Sequence, residues 1–124
     1  MHEKILVLDD DHDLLEIMEI VLTSNGYNVL GFNKGDDIMD NIETFKPDLV
    51  LMDVMLADLD GRELCKNIKA DKTLILPVIL ISGTHNLAQV MDMKGAPDDF
   101  IAKPFDIDDL LNKVNVQLSK HILP

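Results

Sequence analysis

Five short apolar segments alternate with stretches of helical periodicity, and this alternation constrains the fold more than any other feature of the sequence. The segments are rich in Ile, Val and Leu and read KILVL (4 to 8), NVLGF (28 to 32), DLVLM (48 to 52), PVILI (77 to 81) and DFIA (99 to 102). Three of them lack polar alternation, which is typical of strands that are buried on both faces. We therefore predict an α/β, doubly wound fold of three layers, in which a parallel sheet lies between helices.

Apolar residues spaced three or four positions apart predict the helices between these strands. The stripes are Leu14, Leu15, Met18, Val21 and Leu22; Ile38, Ile42 and Phe45; Leu64, Cys65 and Ile68; and Leu110, Leu111, Val114 and Leu118. Asn25-Gly26 predicts the end of the first helix. A weaker stripe after Ser82, formed by Leu87, Val90 and Met91, predicts a short further helix. With 124 residues and no linker, we predict one domain over residues 1–124 with five helices.

The charge and cysteine content narrow the possible partners and location. The formal net charge is −12, from 11 Lys and Arg against 23 Asp and Glu. Such a surface repels phosphate backbones and anionic lipid, so we predict no direct nucleic-acid binding. No segment approaches the roughly 20 apolar residues of a membrane span, so we also predict no membrane insertion. The lone Cys65 cannot form an internal disulfide, and no Cys/His spacing indicates zinc. These features predict a cytoplasmic protein.

Polar side chains follow the predicted strands at the points where ligands bind in such folds. Ligands of parallel α/β sheets lie beyond the carboxyl ends of the strands, near the switch in strand order. The residues at those ends are Asp9, Asp10 and Asp11, then Asp53, then Ser82, and then Lys103. Converging carboxylates repel one another unless a cation lies among them. Because their oxygen ligands suit hard divalent ions, the sequence predicts a site for Mg²⁺ or Mn²⁺.

Asp53 is the carboxylate best placed to react, because it directly follows the buried third strand. An Asp carboxylate can attack phosphorus and form an aspartyl-phosphate, while cations neutralise the phosphoryl oxygens. Asp60, in the loop sequence ADLDG, is predicted to cap a helix instead. Either Asp11 or Asp13 is predicted to cap the first helix.

The chain resembles the receiver domains of bacterial two-component response regulators over almost its whole length. The motifs occur in family order: VLDDD after the first strand, LVLMDVMLADLDG at the third, LISG at the fourth and FIAKPF at the fifth. Each motif is weak alone, but their joint occurrence at predicted strand ends is specific. The resemblance implies a flavodoxin-like receiver fold with five parallel strands in the order 2-1-3-4-5 and a cis Lys103-Pro104 bond.

The resemblance also implies the role of each site residue. Asp53 would be the phosphoacceptor. The Mg²⁺ ion would be bound by Asp9, Asp10, Asp53 and the backbone carbonyl of Met55.

Three further residues would serve the phosphoryl group and the switch. By the same resemblance, Lys103 would pair with the phosphoryl group and Ser82 would hydrogen-bond it. Phe100 would be the aromatic side chain whose rotamer follows the movement of Ser82. In the family this coupling alters the face formed by the fourth helix, fifth strand and fifth helix, where partners dock.

The implied function is that of a phosphorylation-dependent signalling switch. Receivers take the phosphoryl group from a histidine kinase or a phosphotransfer protein and lose it by hydrolysis. The protein would catalyse its own phosphorylation and dephosphorylation without being a conventional enzyme. We expect a monomer or a weak phosphorylation-dependent dimer that acts alone or within a longer regulator or hybrid kinase.

Three departures from the family pattern leave a second function open. Ala57 stands where Pro is common, Gly83 where Ala is frequent, and an additional Pro97 precedes the switch aromatic. The departure at Pro97 motivates the alternative, a constitutive protein-binding module on the receiver fold whose output is decoupled from phosphorylation. Intact site residues at every other position favour the switch.

Overall fold

Strands and helices alternate along the chain in the computed structural model, which describes residues 2–56, 58–83, 91 and 94–122. The strands are β1 (Lys4–Leu8), β2 (Asn28–Phe32), β3 (Leu49–Asp53), β4 (Val78–Ser82) and β5 (Asp99–Ala102). The helices are α1 (His12–Ser24), α2 (Ile38–Phe45), α3 (Gly61–Ala70) and α4 (Ile107–Ile122).

The five strands form one sheet in the order β2-β1-β3-β4-β5, and every neighbouring pair is parallel. The predicted parallel sheet and its implied strand order are therefore confirmed. Two strands, β3 and β4, each begin and end one residue later than the predicted apolar segments. Pro77 lies outside β4 because it has no N–H to donate, and Asp53 is the last residue of β3.

The described residues contain four helices, whereas the sequence predicts five. The difference lies in the segment after Gly83, because residues 84–90, which carry most of the additional predicted helix, are outside the described residues. The helix labelled α4 is therefore the last of the predicted helices.

The core has two halves, one on each face of the sheet. Alternate residues of a strand point to opposite faces, so Leu6 and Leu8 join the half formed with α2 and α3. Ile5 and Val7 join the half formed with α1 and α4. All five residues of β3 and of β4 are buried, as the continuous apolar segments predict. The three-layer prediction is confirmed.

Side-chain caps fix the starts of two helices beside the sheet's carboxyl edge. Asp11 accepts a hydrogen bond from the Leu14 N–H (3.2 Å) and caps α1. Asp60 accepts one from the Arg62 N–H (2.8 Å) and caps α3. Both predicted caps are confirmed. Gly26, at φ +92°, follows the end of α1 as the Asn25-Gly26 signal predicts.

The first residue of α3 has no room for a side chain. A Cβ on Gly61 would lie 2.2 Å from the Asp53 carbonyl oxygen and 3.0 Å from the Val54 Cα. The Gly61 N–H also donates to the Val54 carbonyl (2.8 Å). This close approach fastens the start of α3 to the backbone that carries Asp53.

No helix within the described part of the chain is long and apolar enough to cross a membrane.

Candidate functional site

The candidate site lies at the carboxyl ends of β1 and β3, the two central strands between which the strand order reverses. Leu8 pairs with Met52 in the register, so the next residues of the two strands, Asp9 and Asp53, lie side by side. The Asp9 N–H donates to the Phe32 carbonyl (3.1 Å), which extends the pairing of β1 with β2 by one residue. Both carboxylates are therefore held by the sheet itself.

Three carboxylates converge at this point. Oxygen atoms of Asp9, Asp10 and Asp53 all lie within 4.8 Å of one another. Asp9 is fully buried and Asp53 is only 5% exposed, whereas Asp10 is exposed to solvent. The cluster thus has two buried carboxylates and one that is open to solvent.

Asp9 is held in an unfavourable environment for a carboxylate. Its Oδ1 accepts a hydrogen bond from the Asp11 N–H (2.9 Å), but its buried Oδ2 accepts none from the described residues. Burial raises the pKa of Asp9 from 3.8 to about 6; the Asp11 hydrogen bond opposes this change, and the Asp53 charge adds to it. A cation among these oxygens would offset both the cost of burying the Asp9 charge and its repulsion by Asp53.

Lys103 supplies the positive charge of the site. Its Nζ donates to Asp53 Oδ2 (3.0 Å) and lies 3.3 Å from Asp9 Oδ2. Burial alone would lower the pKa of Lys103, but the Asp53 hydrogen bond and the two carboxylate charges outweigh it and raise that pKa. The ammonium therefore stays charged. The Lys103-Pro104 peptide bond is cis, as the family resemblance implies.

The donor set fits a hard divalent cation. Three carboxylates face one ammonium group, which leaves a local excess of negative charge. Oxygen ligands from one or two carboxylates and a backbone carbonyl, completed by water, are the usual surroundings of Mg²⁺. Asp9 Oδ2 points to the same conclusion, because this buried oxygen accepts no hydrogen bond from the described residues and shares the Lys103 ammonium, 3.3 Å away, with Asp53. The acidic cluster can therefore hold a metal ion.

The loop after β3 is tied back to Asp53. The Met55 N–H donates to Asp53 Oδ1 (3.2 Å), and Met55 forms an isolated antiparallel bridge with Asp60. The Met55 side chain is 57% exposed and lines an open cavity of about 350 Å³ beside the site. Ala57, the first departure from the family pattern, lies outside the described residues.

The other two aspartates of this loop have structural contacts. Asp58 Oδ1 accepts a hydrogen bond from the Gly35 N–H (3.2 Å), which joins the loop to the segment before α2. Asp60 caps α3 and also accepts three side-chain hydrogen bonds from Arg62, two from Nε (3.1 Å to Oδ1 and 3.2 Å to Oδ2) and one from Nη2 (2.7 Å to Oδ2). Asp53 is thus the member of the trio that faces the acidic cluster.

The structure brings five of the seven predicted site residues together around the strand ends, namely Asp9, Asp10, Asp53, Met55 and Lys103. Ser82, the last residue of β4, is 3% exposed, and its carbonyl accepts the Lys103 N–H (2.9 Å). It is therefore joined through the backbone to the residue that contacts Asp53. At Gly83, an added Cβ would make only an ordinary contact with Lys103 Cβ (3.4 Å).

Phe100 lies on β5, one strand further from the acidic cluster than Ser82 on β4. It pairs with Leu80 in the sheet, is half-buried and packs against the core on the α2 and α3 side. Lys113 of α4 donates to the Phe100 carbonyl (2.8 Å) and places its Nζ 5.6 Å from the centre of the ring. Pro97, the third departure, is buried ahead of β5.

Sequence reasoning missed the Lys113 contact and the Arg62 pair with Asp60. Residues two apart do not face each other on a helix, so helical spacing gives no signal for Asp60 and Arg62. The pair forms because Asp60 is the extended residue before the helix. The Lys113 contact has an indirect signal in the sequence. Lys113 lies next to the apolar stripe of α4, so its long side chain could be expected to reach the edge strand of the sheet.

The comparisons with known proteins agree with this geometry. The family model described as "Response regulator receiver domain" matches residues 5–115, which is most of the chain. The chain belongs to the response regulator receiver family. It is thus the receiver domain of a two-component response regulator, and the resemblance noted in the sequence is confirmed.

One similar protein is the alkaline phosphatase synthesis transcriptional regulatory protein PhoP of Bacillus subtilis (strain 168). The two are 34% identical over 105 residues, which make up 85% of this chain and 44% of PhoP. The chain thus spans less than half of that relative's length.

Two solved receiver structures are close in backbone. The CheY-like receiver domain protein of Methanospirillum hungatei JF-1 has a TM-score of 0.88 at 27% identity and covers 97% of this chain, which covers 96% of it. The BeF3-activated N-terminal receiver domain of RstA from Klebsiella pneumoniae has a TM-score of 0.84 at 26% identity, with coverages of 94% and 98%. Both share the receiver fold with this chain.

Proposed function

We propose that the protein is a phosphorylation-dependent switch that accepts a phosphoryl group on Asp53. The observation that carries the proposal is the position of the Asp53 carboxylate. It is 5% exposed, contacts Lys103 through Oδ2 and lies within 4.8 Å of the Asp9 and Asp10 oxygens. A buried carboxylate with charged groups fixed around it is suited to phosphoryl transfer, in which positioning and electrostatic stabilisation do most of the work.

In the proposed reaction, a lone pair of an Asp53 carboxylate oxygen attacks phosphorus. The bond from phosphorus to the donor breaks, and its electron pair leaves with the donor. The donor is the phosphohistidine of a histidine kinase or of a phosphotransfer protein. In the return reaction water attacks phosphorus, the bond to Asp53 breaks, and inorganic phosphate leaves. The domain thus promotes its own phosphorylation and dephosphorylation without being a conventional enzyme.

The residues around Asp53 would share the work of this transfer. Lys103 is already charged and 3.0 Å from Asp53 Oδ2, so it would pair with a phosphoryl oxygen without a proton transfer. The Met55 N–H holds the other carboxylate oxygen and orients the nucleophile. Ser82 would hydrogen-bond the phosphoryl group, and Phe100 would change rotamer with it.

Asp9, Asp10, Asp53 and the Met55 carbonyl would hold Mg²⁺, or Mn²⁺, in this site. When bound, the ion supplies positive charge for the phosphoryl oxygens in the transition state. The role of Asp9 would be to hold the ion from the buried side, while Asp10 would hold it from the solvent side.

We also propose the wider setting of the switch. Residues 1–124 would act as one receiver domain that relays a conformational change to a downstream protein or an output domain. The net charge of −12 opposes direct nucleic-acid binding by this domain. The lone Cys65 is buried, and burial raises the pKa of its thiol to about 11. A buried free thiol fits the proposed cytoplasmic location, where disulfides are rare. A monomer or a weak phosphorylation-dependent dimer is the proposed state.

The experiment that tests the switch is intact mass spectrometry after incubation with acetyl phosphate and Mg²⁺. The controls are the Asp53→Asn variant and a sample with EDTA. We expect a gain of one phosphoryl group only when Mg²⁺ and Asp53 are both present. No gain in a protein that is folded and binds Mg²⁺, with a kinase donor as well, would instead favour the constitutive binding module.

A further inference from the structure

A groove beside α2 presents the most exposed large apolar side chain of the described residues. That residue is Ile75, which is 84% exposed. The groove has a volume of about 520 Å³ and lies between α2 and the segment that joins α3 to β4. Its apolar lining consists of Met39, Ile42, Pro47, Leu74, Ile75 and Leu76. The volume is within the range of grooves that bind ligands or peptide side chains.

The groove is separate from the phosphoacceptor site. Pro47 lies two residues before the amino end of β3, and Leu76 lies two residues before β4. Asp53 ends β3 at the opposite edge of the sheet. Neither the carboxylates of the acidic cluster nor Lys103 line the groove.

The chain around Ile75 is fixed in position by hydrogen bonds. Asp71 Oδ1 accepts from the Thr73 N–H (3.0 Å) and hydroxyl (2.6 Å), and the Leu74 N–H donates to the Asp71 carbonyl (3.1 Å). On the other side, Lys69 Nζ donates to the Leu76 carbonyl (3.0 Å).

This anchoring decides where each apolar side chain goes. Leu76 is 6% exposed and Leu74 is half-buried against the core, so the residue between them is turned to solvent. The loop therefore holds Ile75 outward in an ordered conformation. A preorganised apolar anchor costs little further ordering when a partner covers it.

The rim of the groove is acidic. Asp40, Glu43 and Asp71 line it, with Lys46 as the opposing charge. This excess of negative charge, within a chain of net charge −12, opposes nucleic acid and anionic lipid. It also opposes a second copy of the chain, because the same acidic rim would face itself.

We infer that this groove binds a segment of another protein that presents aliphatic side chains flanked by Lys or Arg. The aliphatic side chains would cover Ile75 and Met39 and rest on the floor formed by Ile42 and Leu76. The basic side chains would face the acidic rim. Apolar anchors supply most of the affinity in such grooves, and complementary charge selects the partner.

The test uses three synthetic helical peptides and ¹⁵N-labelled, unphosphorylated protein. The first peptide carries Leu at helical spacing flanked by Arg, the second has Glu in place of Arg, and the third has Ser in place of Leu. We expect the first peptide alone to shift amide signals of α2 and of the segment from Asp71 to Leu76.

Four variants make the test specific to the groove. Ile75→Ser should weaken binding about tenfold or more. The matched control is Ile20→Ser, because Ile20 is 58% exposed on α1, away from the groove; it should bind as the wild type does. Glu43→Lys should weaken and Lys46→Glu strengthen binding, each by about two- to fivefold.

Several results would overturn the inference. Equal binding of the Glu or Ser peptide would show that the partner need not be basic or aliphatic. Amide shifts centred on another face would show that the peptide does not bind in the groove. Unchanged affinity in Ile75→Ser would do the same. A dimer in sedimentation that dissociates in Ile75→Ser would assign the groove to a second copy instead. None of these measurements involves phosphorylation, so their failure leaves the Asp53 proposal untouched.

Discussion

Replacing Asp9 with Asn should stabilise the metal-free protein at neutral pH. Asp9 is fully buried, and its Oδ2 accepts no hydrogen bond from the described residues. The Asn side chain has nearly the same shape, keeps an oxygen for the Asp11 N–H and carries no charge. The substitution therefore removes a charge that burial disfavours more than the 3.3 Å ion pair with Lys103 favours it, at little cost in packing.

The magnitude follows from the pKa of Asp9. Burial raises it to about 6 from an ordinary value of 3.8, so the folded protein holds the proton more tightly than the unfolded chain. Well below pH 3.8 both states are protonated, and the wild type is not penalised. As the pH rises from about 4 to about 6, its stability falls relative to Asp9→Asn and then levels off. The difference between the two pKa values corresponds to about 3 kcal/mol.

The assay is urea unfolding in EDTA at about pH 4 and at about pH 7.5, followed by circular dichroism. Because the unfolded wild type is already more than half ionised at about pH 4, Asp9→Asn should gain about 2 kcal/mol over the wild type between these two pH values. Asp10→Asn is the matched control, because Asp10 is exposed; it should change stability by less than about 0.5 kcal/mol. An advantage of Asp9→Asn that is the same at both pH values would refute the electrostatic argument.

Two further predictions concern the residues that surround Asp53. Lys103→Ala should still bind Mg²⁺ but uncouple phosphorylation from the change at Phe100; an unaltered Phe100 response in NMR spectra would count against this. Gly61→Ala should destabilise the fold by about 1–3 kcal/mol, because its Cβ would meet the Asp53 carbonyl at 2.2 Å. Gly83→Ala, with an open Cβ position, serves as its control in thermal unfolding; similar losses in both variants would contradict the packing argument.

The sheet could be predicted from the sequence because its signal is local. Continuous apolar segments such as VILI can only be central strands in a chain of alternating elements, and β1, β2 and β5 have the predicted bounds. The strand order has no such local signal. It followed from the family resemblance, since the apolar pattern is the same for any order of buried strands.

Within the site, the sequence indicated which residues meet but not how they differ. Asp9 and Asp10 are adjacent aspartates with the same local preferences. Asp9 is buried because its N–H pairs with the Phe32 carbonyl and so continues the sheet by one residue, whereas Asp10, the next residue, is exposed. Such an asymmetry depends on β2, which is distant in sequence, and it sets the raised pKa of Asp9.

The contacts between segments that are distant in sequence could not be predicted either. Asp98 lies ahead of β5, yet its Oδ2 accepts the Val78 N–H (2.8 Å) and pairs closely with Lys69 of α3. No spacing rule relates residues 69 and 98 before the fold brings them together. The same holds for Ile75, whose exposure follows from the anchoring of Leu74 and Leu76 on either side.

The most direct test of the account is to locate the phosphoryl group on the chain. After incubation with acetyl phosphate and Mg²⁺, borohydride reduction converts an aspartyl-phosphate to homoserine, and tandem mass spectrometry of the peptides identifies its position. We predict homoserine at position 53 and unmodified aspartate at positions 58 and 60. The Asp58 side chain accepts the Gly35 N–H, and the Asp60 side chain caps α3. Homoserine at either of those positions, with Asp53 unchanged, would contradict the central claim.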